Sequence, residues 1–175
     1  MAVLTADYQY FDRKDDFIQM FLILAASTIF KGAMSCVDTG LGAGNGYLRT
    51  GADTAGFIMM GVAVENSTAV AGETNGSRYV RLFRTGSFKF PCAGATQAWV
   101  GRQVFVVDDN TVGLRQQVNN GVVAGIVTEY YDATHVQVNI NCSQCMAWTE
   151  ESWSSSSSCS SSSSYSSSSC SSNTV

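Results

Sequence analysis

The chain contains one histidine, His135, and most hydrolytic devices need an imidazole. It opens the run His135-Val136-Gln137-Val138-Asn139-Ile140, which alternates as a half-buried strand does. No nucleophile elbow stands beside it, so it reads as a core-edge or surface residue. Cys142-Ser143-Gln144-Cys145 is a lone pair of thiols at knuckle spacing. Structural zinc needs four ligands, and Cys159 and Cys170 are not spaced as a second knuckle. A redox pair belongs at a helix N-terminus in an α/β setting, which these neighbours do not provide. Glu65 and Glu129 each follow an apolar run and invite comparison with paired acid–base groups. Strand ends entering loops account for both. The stretch Gly40-Leu41-Gly42-Ala43-Gly44-Asn45-Gly46 is rich enough in glycine to cradle a phosphate, yet Tyr47-Leu48-Arg49-Thr50 does not open a helix behind it. No phosphate loop ending in Gly-Lys-Ser/Thr occurs. No catalytic, cofactor-binding or metal-ligating residue is assigned, and the expectation is a non-enzymatic protein.

What remains is a framework of strands. Residues 17–24 read as a buried strand, residues 33–37 as a second, and residues 57–64 are strongly apolar. Residues 79–84, 87–90, 103–107, 122–128 and 135–140 supply further runs, several with strict alternation. Asn75-Gly76, Asp108-Asp109-Asn110 and Asn119-Asn120-Gly121 fall between them, where residues tolerant of left-handed backbone belong. Residues 95–100 could form a single helical turn. Short strands at close spacing predict a mainly β fold, a compact barrel or sandwich. A faint repeat runs through it. Lys31-Gly32-Ala33-Met34-Ser35-Cys36-Val37-Asp38 is echoed by residues 100–108, and Met60-Gly61-Val62-Ala63-Val64-Glu65 by residues 124–129. Two copies fit a pseudo-twofold barrel better than a solenoid.

Composition agrees. Charged residues are only 14% of the 175, proline occurs once and glycine 16 times, which favours β structure over helical bundles. Net charge is −4 without any Lys/Arg cluster, so neither nucleic acid nor a membrane surface is an expected partner. The longest apolar run, residues 17–30, is short of a bilayer span, and no secretory leader opens the sequence. Six cysteines in such a chain are expected to be reduced thiols.

The sequence divides into an N-terminal arm (1–16), a β domain (17–145) and a Ser-rich tail (146–175). In the tail, 17 of the 21 residues from Ser152 to Ser172 are serine, broken by Trp153, Cys159, Tyr165 and Cys170. Steps of six separate the first three, an even spacing that shares one face of an extended strand. In an oligomer these residues could meet along an axis, or the cysteines could cross-link chains. As a lone chain the segment buries too little to offset its ordering entropy and stays solvated.

The order of phrases along the domain is distinctive: Thr28-Ile29-Phe30-Lys31-Gly32-Ala33, then Gly51-Ala52-Asp53-Thr54-Ala55-Gly56, then Gly61-Val62-Ala63-Val64-Glu65. Tyr79-Val80-Arg81-Leu82-Phe83-Arg84-Thr85-Gly86-Ser87-Phe88 follows, then Val104-Phe105-Val106-Val107-Asp108-Asp109 and Ala124-Gly125-Ile126-Val127-Thr128-Glu129. Over residues 2–141 the chain resembles the tailed-phage capsid decoration (cement) proteins. The resemblance implies a β-rich, non-catalytic module made in the host cytoplasm and carried on the outer capsid surface of the virion. It implies the major capsid protein as partner, a homo-oligomer, by analogy a trimer, and no cofactor. Tyr8, Tyr10 and Phe11 of the arm are the expected capsid contacts, because an aromatic terminal segment without a core of its own needs a partner. The Ser-rich tail departs from the family pattern and leaves a second reading open, a head-fibre or adhesin-like virion protein whose tail projects from the shell.

Overall fold

The computed structural model describes residues 18–40, 42 and 44–141. In chain order the strands are β1 (Ile18–Leu22), β2 (Thr28–Ile29), β3 (Met34–Asp38), β4 (Leu48–Thr50), β5 (Phe57–Ala63) and β6 (Ser67–Thr68). They continue with β7 (Tyr79–Phe83), β8 (Thr85–Pro91), β9 (Gln103–Val106), β10 (Val112–Gly113), β11 (Val123–Asp132) and β12 (His135–Asn141). Single 3-10 turns occur at Gln97–Trp99 and Arg115–Gln117, the first inside the expected helical turn. The fold is mainly β, as the alternation requires. Among the described residues no helix is long and apolar enough to cross a membrane.

Two five-stranded sheets and a small ribbon account for the strands. The first sheet runs β1-β7-β5-β3-β4, the second β10-β9-β11-β12-β8, and the ribbon is β2-β6. All paired neighbours are antiparallel. In each sheet a parallel bridge links the stretch just beyond the first strand to the third in chain order: Ile23 to Leu48, and Cys92 to Val112.

The burial pattern follows the two-residue period. In β8, Gly86, Phe88 and Phe90 are buried while Thr85, Ser87, Lys89 and Pro91 are partly exposed. In β12, Val136, Val138 and Ile140 are buried opposite them. One core cluster joins the sheets: Met34, Cys36, Met59, Val62 and Phe83 of the first pack with Phe88, Phe90, Val106, Val136 and Val138 of the second. Phe83 and Phe88 stack at 5.8 Å between ring centroids. A second cluster lies on the other face of the first sheet, where Leu48, Ala63, Val80 and Leu82 meet Ile23, Ile29 and Ala69. Val62 and Ala63, like Leu82 and Phe83, therefore serve different cores, because successive strand residues point to opposite faces.

Loops are tied by polar groups. The Asp53 carboxylate accepts the backbone N–H groups of Asn119, Asn120 and Gly121, and the Asn120 side-chain amide donates to the Asp53 carbonyl at 2.7 Å. The Asp108 carboxylate accepts from the N–H groups of Asn110 and Thr111 at 3.0 and 2.8 Å, closing the turn before β10. The Met34 N–H donates to the Asp109 carbonyl at 2.6 Å, across the two halves of the chain.

Two expectations are corrected. Residues 17–24 read as a buried strand, yet in β1 only Phe21 is half-buried, and Ile18, Gln19, Met20 and Leu22 are exposed. The strand lies at the end of its sheet, and the second sheet does not extend over it. Glu129 does not end a strand, because β11 runs on to Asp132 and places it opposite Gln137.

Candidate functional site

The candidate chemical residues are held by ordinary structural contacts. His135 starts β12 opposite Pro91, one-third exposed, beside the β11–β12 turn. Asp132 organises that turn. Its carboxylate accepts the Thr134 hydroxyl at 2.6 Å and the Thr134 N–H at 2.7 Å, with His135 Nδ1 at 3.3 Å. The Thr134 hydroxyl above all, then the Thr134 N–H, pulls the Asp132 carboxyl down to about 2. Glu65 is bound by Arg81 through Nε at 2.9 Å and Nη2 at 2.8 Å, which lowers its pKa. The two glutamates thus have separate structural settings, an Arg81 clamp and the middle of β11.

Cys36 and Cys92 are buried, and desolvation pushes the Cys92 thiol up, away from the reactive thiolate. Among the described residues no group of three or more His, Cys, Asp or Glu side chains is placed to hold a metal ion. Cys142 and Cys145 lie outside the described residues, as do all the assigned contact residues: Tyr8, Tyr10, Phe11, Trp153, Cys159, Tyr165 and Cys170.

The described surface has one feature that composition did not reveal. The register pairs Ile18 with Phe83, Met20 with Arg81 and Leu22 with Tyr79. Directly opposed residues share a face of an antiparallel pair. Ile18, Met20, Leu22 and Tyr79 therefore continue the face on which Phe83, Val62 and Met34 are buried against the second sheet. Where that cover stops, the face carries these four large apolar side chains together with Arg81, which stands opposite Met20. Ile18 is 41% exposed, Met20 57%, Leu22 52% and Tyr79 54%. The charges beside it are mutually satisfied, since Arg81 is clamped to Glu65. Behind the strand, Arg84 lies over the Phe21 ring at 5.5 Å and donates to the Gln19 side chain at 2.6 Å, so the opposite face of β1 is already engaged.

The second sheet supplies a comparison. Its end strand β8 pairs with β12 as β1 pairs with β7. The face of β8 turned away from the core carries Thr85, Ser87, Lys89 and Pro91, with Lys89 over the Tyr131 ring at 4.6 Å. Lysine and proline on an end strand discourage further association. β1, with Ile-Gln-Met-Phe-Leu, has neither. The signal was present in the sequence as alternate residues Ile18, Met20 and Leu22, but an apolar run does not say which face lacks a neighbour.

Comparison of the chain with protein-family models, curated proteins and solved structures finds no match.

Proposed function

We propose that this chain is a capsid decoration protein, a β module that docks on the outside of an assembled phage shell and stabilises it. One observation supports the reading: Ile18, Met20, Leu22 and Tyr79 are exposed together at the end of the first sheet, and Tyr8, Tyr10 and Phe11 precede them in the sequence. That exposed group is the proposed adhesive region of the module. The ordered phrases of the resemblance support the same reading. They fall on β2, the Asp53 loop, β5, β7 and β8, β9, and β11, which is the framework that presents this region.

A module that binds the assembled lattice but not its separate subunits stabilises the lattice by mass action. Several copies held together gain avidity, so each contact can be modest. The major capsid protein is the partner, the oligomer is a trimer by analogy, and the location is the outer surface of the virion.

The finer architecture belongs to the same proposal: two copies of one five-stranded barrel unit related by a pseudo-twofold axis. Three observations support it. Taken in chain order, the strands of each sheet sit in the sequence first, fifth, fourth, second, third. The bridges Ile23–Leu48 and Cys92–Val112 join corresponding places. Gly61 and Gly125 stand at corresponding points of the echoed phrases, and a Cβ on either would lie 2.2 Å from a carbonyl of the neighbouring strand.

The test is co-sedimentation of the full chain with expanded shells of the major capsid protein. The chain is expected to pellet with shells and to raise the temperature at which they open. Deleting residues 146–175 leaves binding intact on this reading. Loss of binding on that deletion would instead favour the head-fibre alternative, in which the tail is the working part.

A further inference from the structure

We infer that the outer edge of β1 pairs antiparallel with β1 of a second copy, about a twofold axis at Met20, so that the first sheets of two chains join into one. The pairing is a property of the isolated chain, and only its use on a shell rests on the decoration reading.

The backbone of β1 decides which groups are on offer. The Ile23 N–H donates to the Arg78 carbonyl at 3.0 Å, on the β7 side, and this pair continues the register that sets Leu22 opposite Tyr79. Backbone groups alternate in direction along a strand, so Phe21 and Gln19 also turn theirs toward β7. Those of Ile18, Met20 and Leu22 turn the opposite way, where the sheet order places no described strand beside them. Leu24, the next residue of that set, shows the direction: its N–H donates to the Leu48 carbonyl of β4 at 3.0 Å. Because β4 takes over there, the open stretch is the five residues of β1.

That stretch is complementary to itself. A twofold axis at Met20 sets Met20 opposite Met20 of the second copy and Ile18 opposite Leu22 in both directions, the exchange of places that an isologous contact requires. All three pairs then turn their polar groups toward each other and form about six ladder hydrogen bonds, two to a pair. On one face Ile18 meets Leu22 and Met20 meets Met20, and on the other Gln19 meets Phe21. β1 holds no charged residue and no proline, and its register with β7 is unbroken. Charges, prolines and bulges are what keep end strands apart, and β8 has two of these devices in Lys89 and Pro91. The nearest charge on the face of β1 is Arg81, clamped to Glu65. Across the joined sheet the two Arg81 side chains stand three strand spacings apart, about 14 Å, beyond the ~8 Å screening length of physiological salt.

Two strands of this length bury on the order of 700 Å² in total, below the ~1,200 Å² of the smallest standard-size interfaces, so the pair is weak and forms as concentration rises. The axis keeps the two faces on the same side. Ile18, Met20, Leu22 and Tyr79 of both copies therefore lie on one continuous surface, twice what a single module presents to a lattice. Neighbours held on a shell meet at effective concentrations near the millimolar range, where a weak pair fills. The pairing closes at two copies, and a threefold assembly needs another surface.

Sedimentation velocity of the full chain, from about 1 to 200 µM, reads the pairing across a micromolar Kd. Monomer is expected at the low end and dimer at the high end. Met20→Pro removes an N–H that points out of the sheet and leaves the β1–β7 bonds in place, so it should weaken pairing about tenfold or more while the melting temperature stays close to that of the unaltered chain. Met20→Cys tests the register without relying on that variant. Opposed Cα atoms of a hydrogen-bonded pair lie about 5.5 Å apart, within disulfide reach, so mild oxidation should give a peptide linked through residue 20 of both copies, identified by mass spectrometry. Gln19→Cys, whose two copies are offset by about 8 Å, should not link. A chain that stays monomeric over the whole series overturns the inference. So does a dimer that a folded Met20→Pro leaves intact, or one that Met20→Cys fails to link. None of these measurements uses a shell, so the pairing and the decoration reading fail separately.

Discussion

At the residue scale, stability rests on a few positions with no slack. Gly61 has a positive φ of 153° and sits 2.2 Å, measured from an added Cβ, from the Phe83 carbonyl. Gly125 has the same close approach to the Asn139 carbonyl. Neither strand can yield without giving up ladder hydrogen bonds. Gly61→Ala and Gly125→Ala are each expected to lose about 3 kcal/mol or more in urea unfolding, against about 1–2 kcal/mol for Ala at Gly72, where no atom is near and only the positive φ of 97° opposes a side chain. Asp132 gives a pH signature. Its folded pKa of about 2 lies below the ~3.9 of an unfolded aspartate, so the ionised form favours the native state. That contribution is complete above about pH 4 and is lost as the pH falls toward 2. Asp132→Asn should flatten this limb of the stability curve, by a small amount because the group is exposed and screened. Thermal melts of the two proteins between pH 2 and pH 6 measure it.

At the element scale, alternation carries most of the fold. β8 and β12 were legible from one buried side chain in two; β5, β7 and β9 fall inside the apolar runs that predict them, while β3 and β11 start inside theirs and run on to Asp38 and Asp132. β2, β4, β6 and β10 escaped, because two or three residues are too short to show a period. β1 was found but misjudged. Its apolar residues reflect a face without a neighbour, and only the sheet order shows that the neighbour is missing. The arm could be recognised as aromatic and charged from sequence, but not that an apolar face follows it directly. The difference between end strands is measurable. Phe90→Ala in β8 removes a side chain that is 1% exposed and should lose about 3–5 kcal/mol. Leu22→Ala in β1 removes one that is 52% exposed and should lose less than about 1.5 kcal/mol. Chemical denaturation of both variants decides whether β1 is the peripheral element this account makes it.

At the scale of the whole molecule, two sheets share one core, and the face of the first sheet continues past the edge of that core. Low charge, satisfied loops and an apolar end suit a protein whose free energy is spent on contact with another protein. On the proposed reading the exposed side chains of β1 supply that contact. Sedimentation of the full chain with assembled shells, alongside the same subunits unassembled, tests this most directly. The account predicts stoichiometric binding to shells, none to free subunits, and a loss of at least about tenfold in affinity on Met20→Lys. Equal binding to free subunits, or no binding to shells at any concentration, would contradict it.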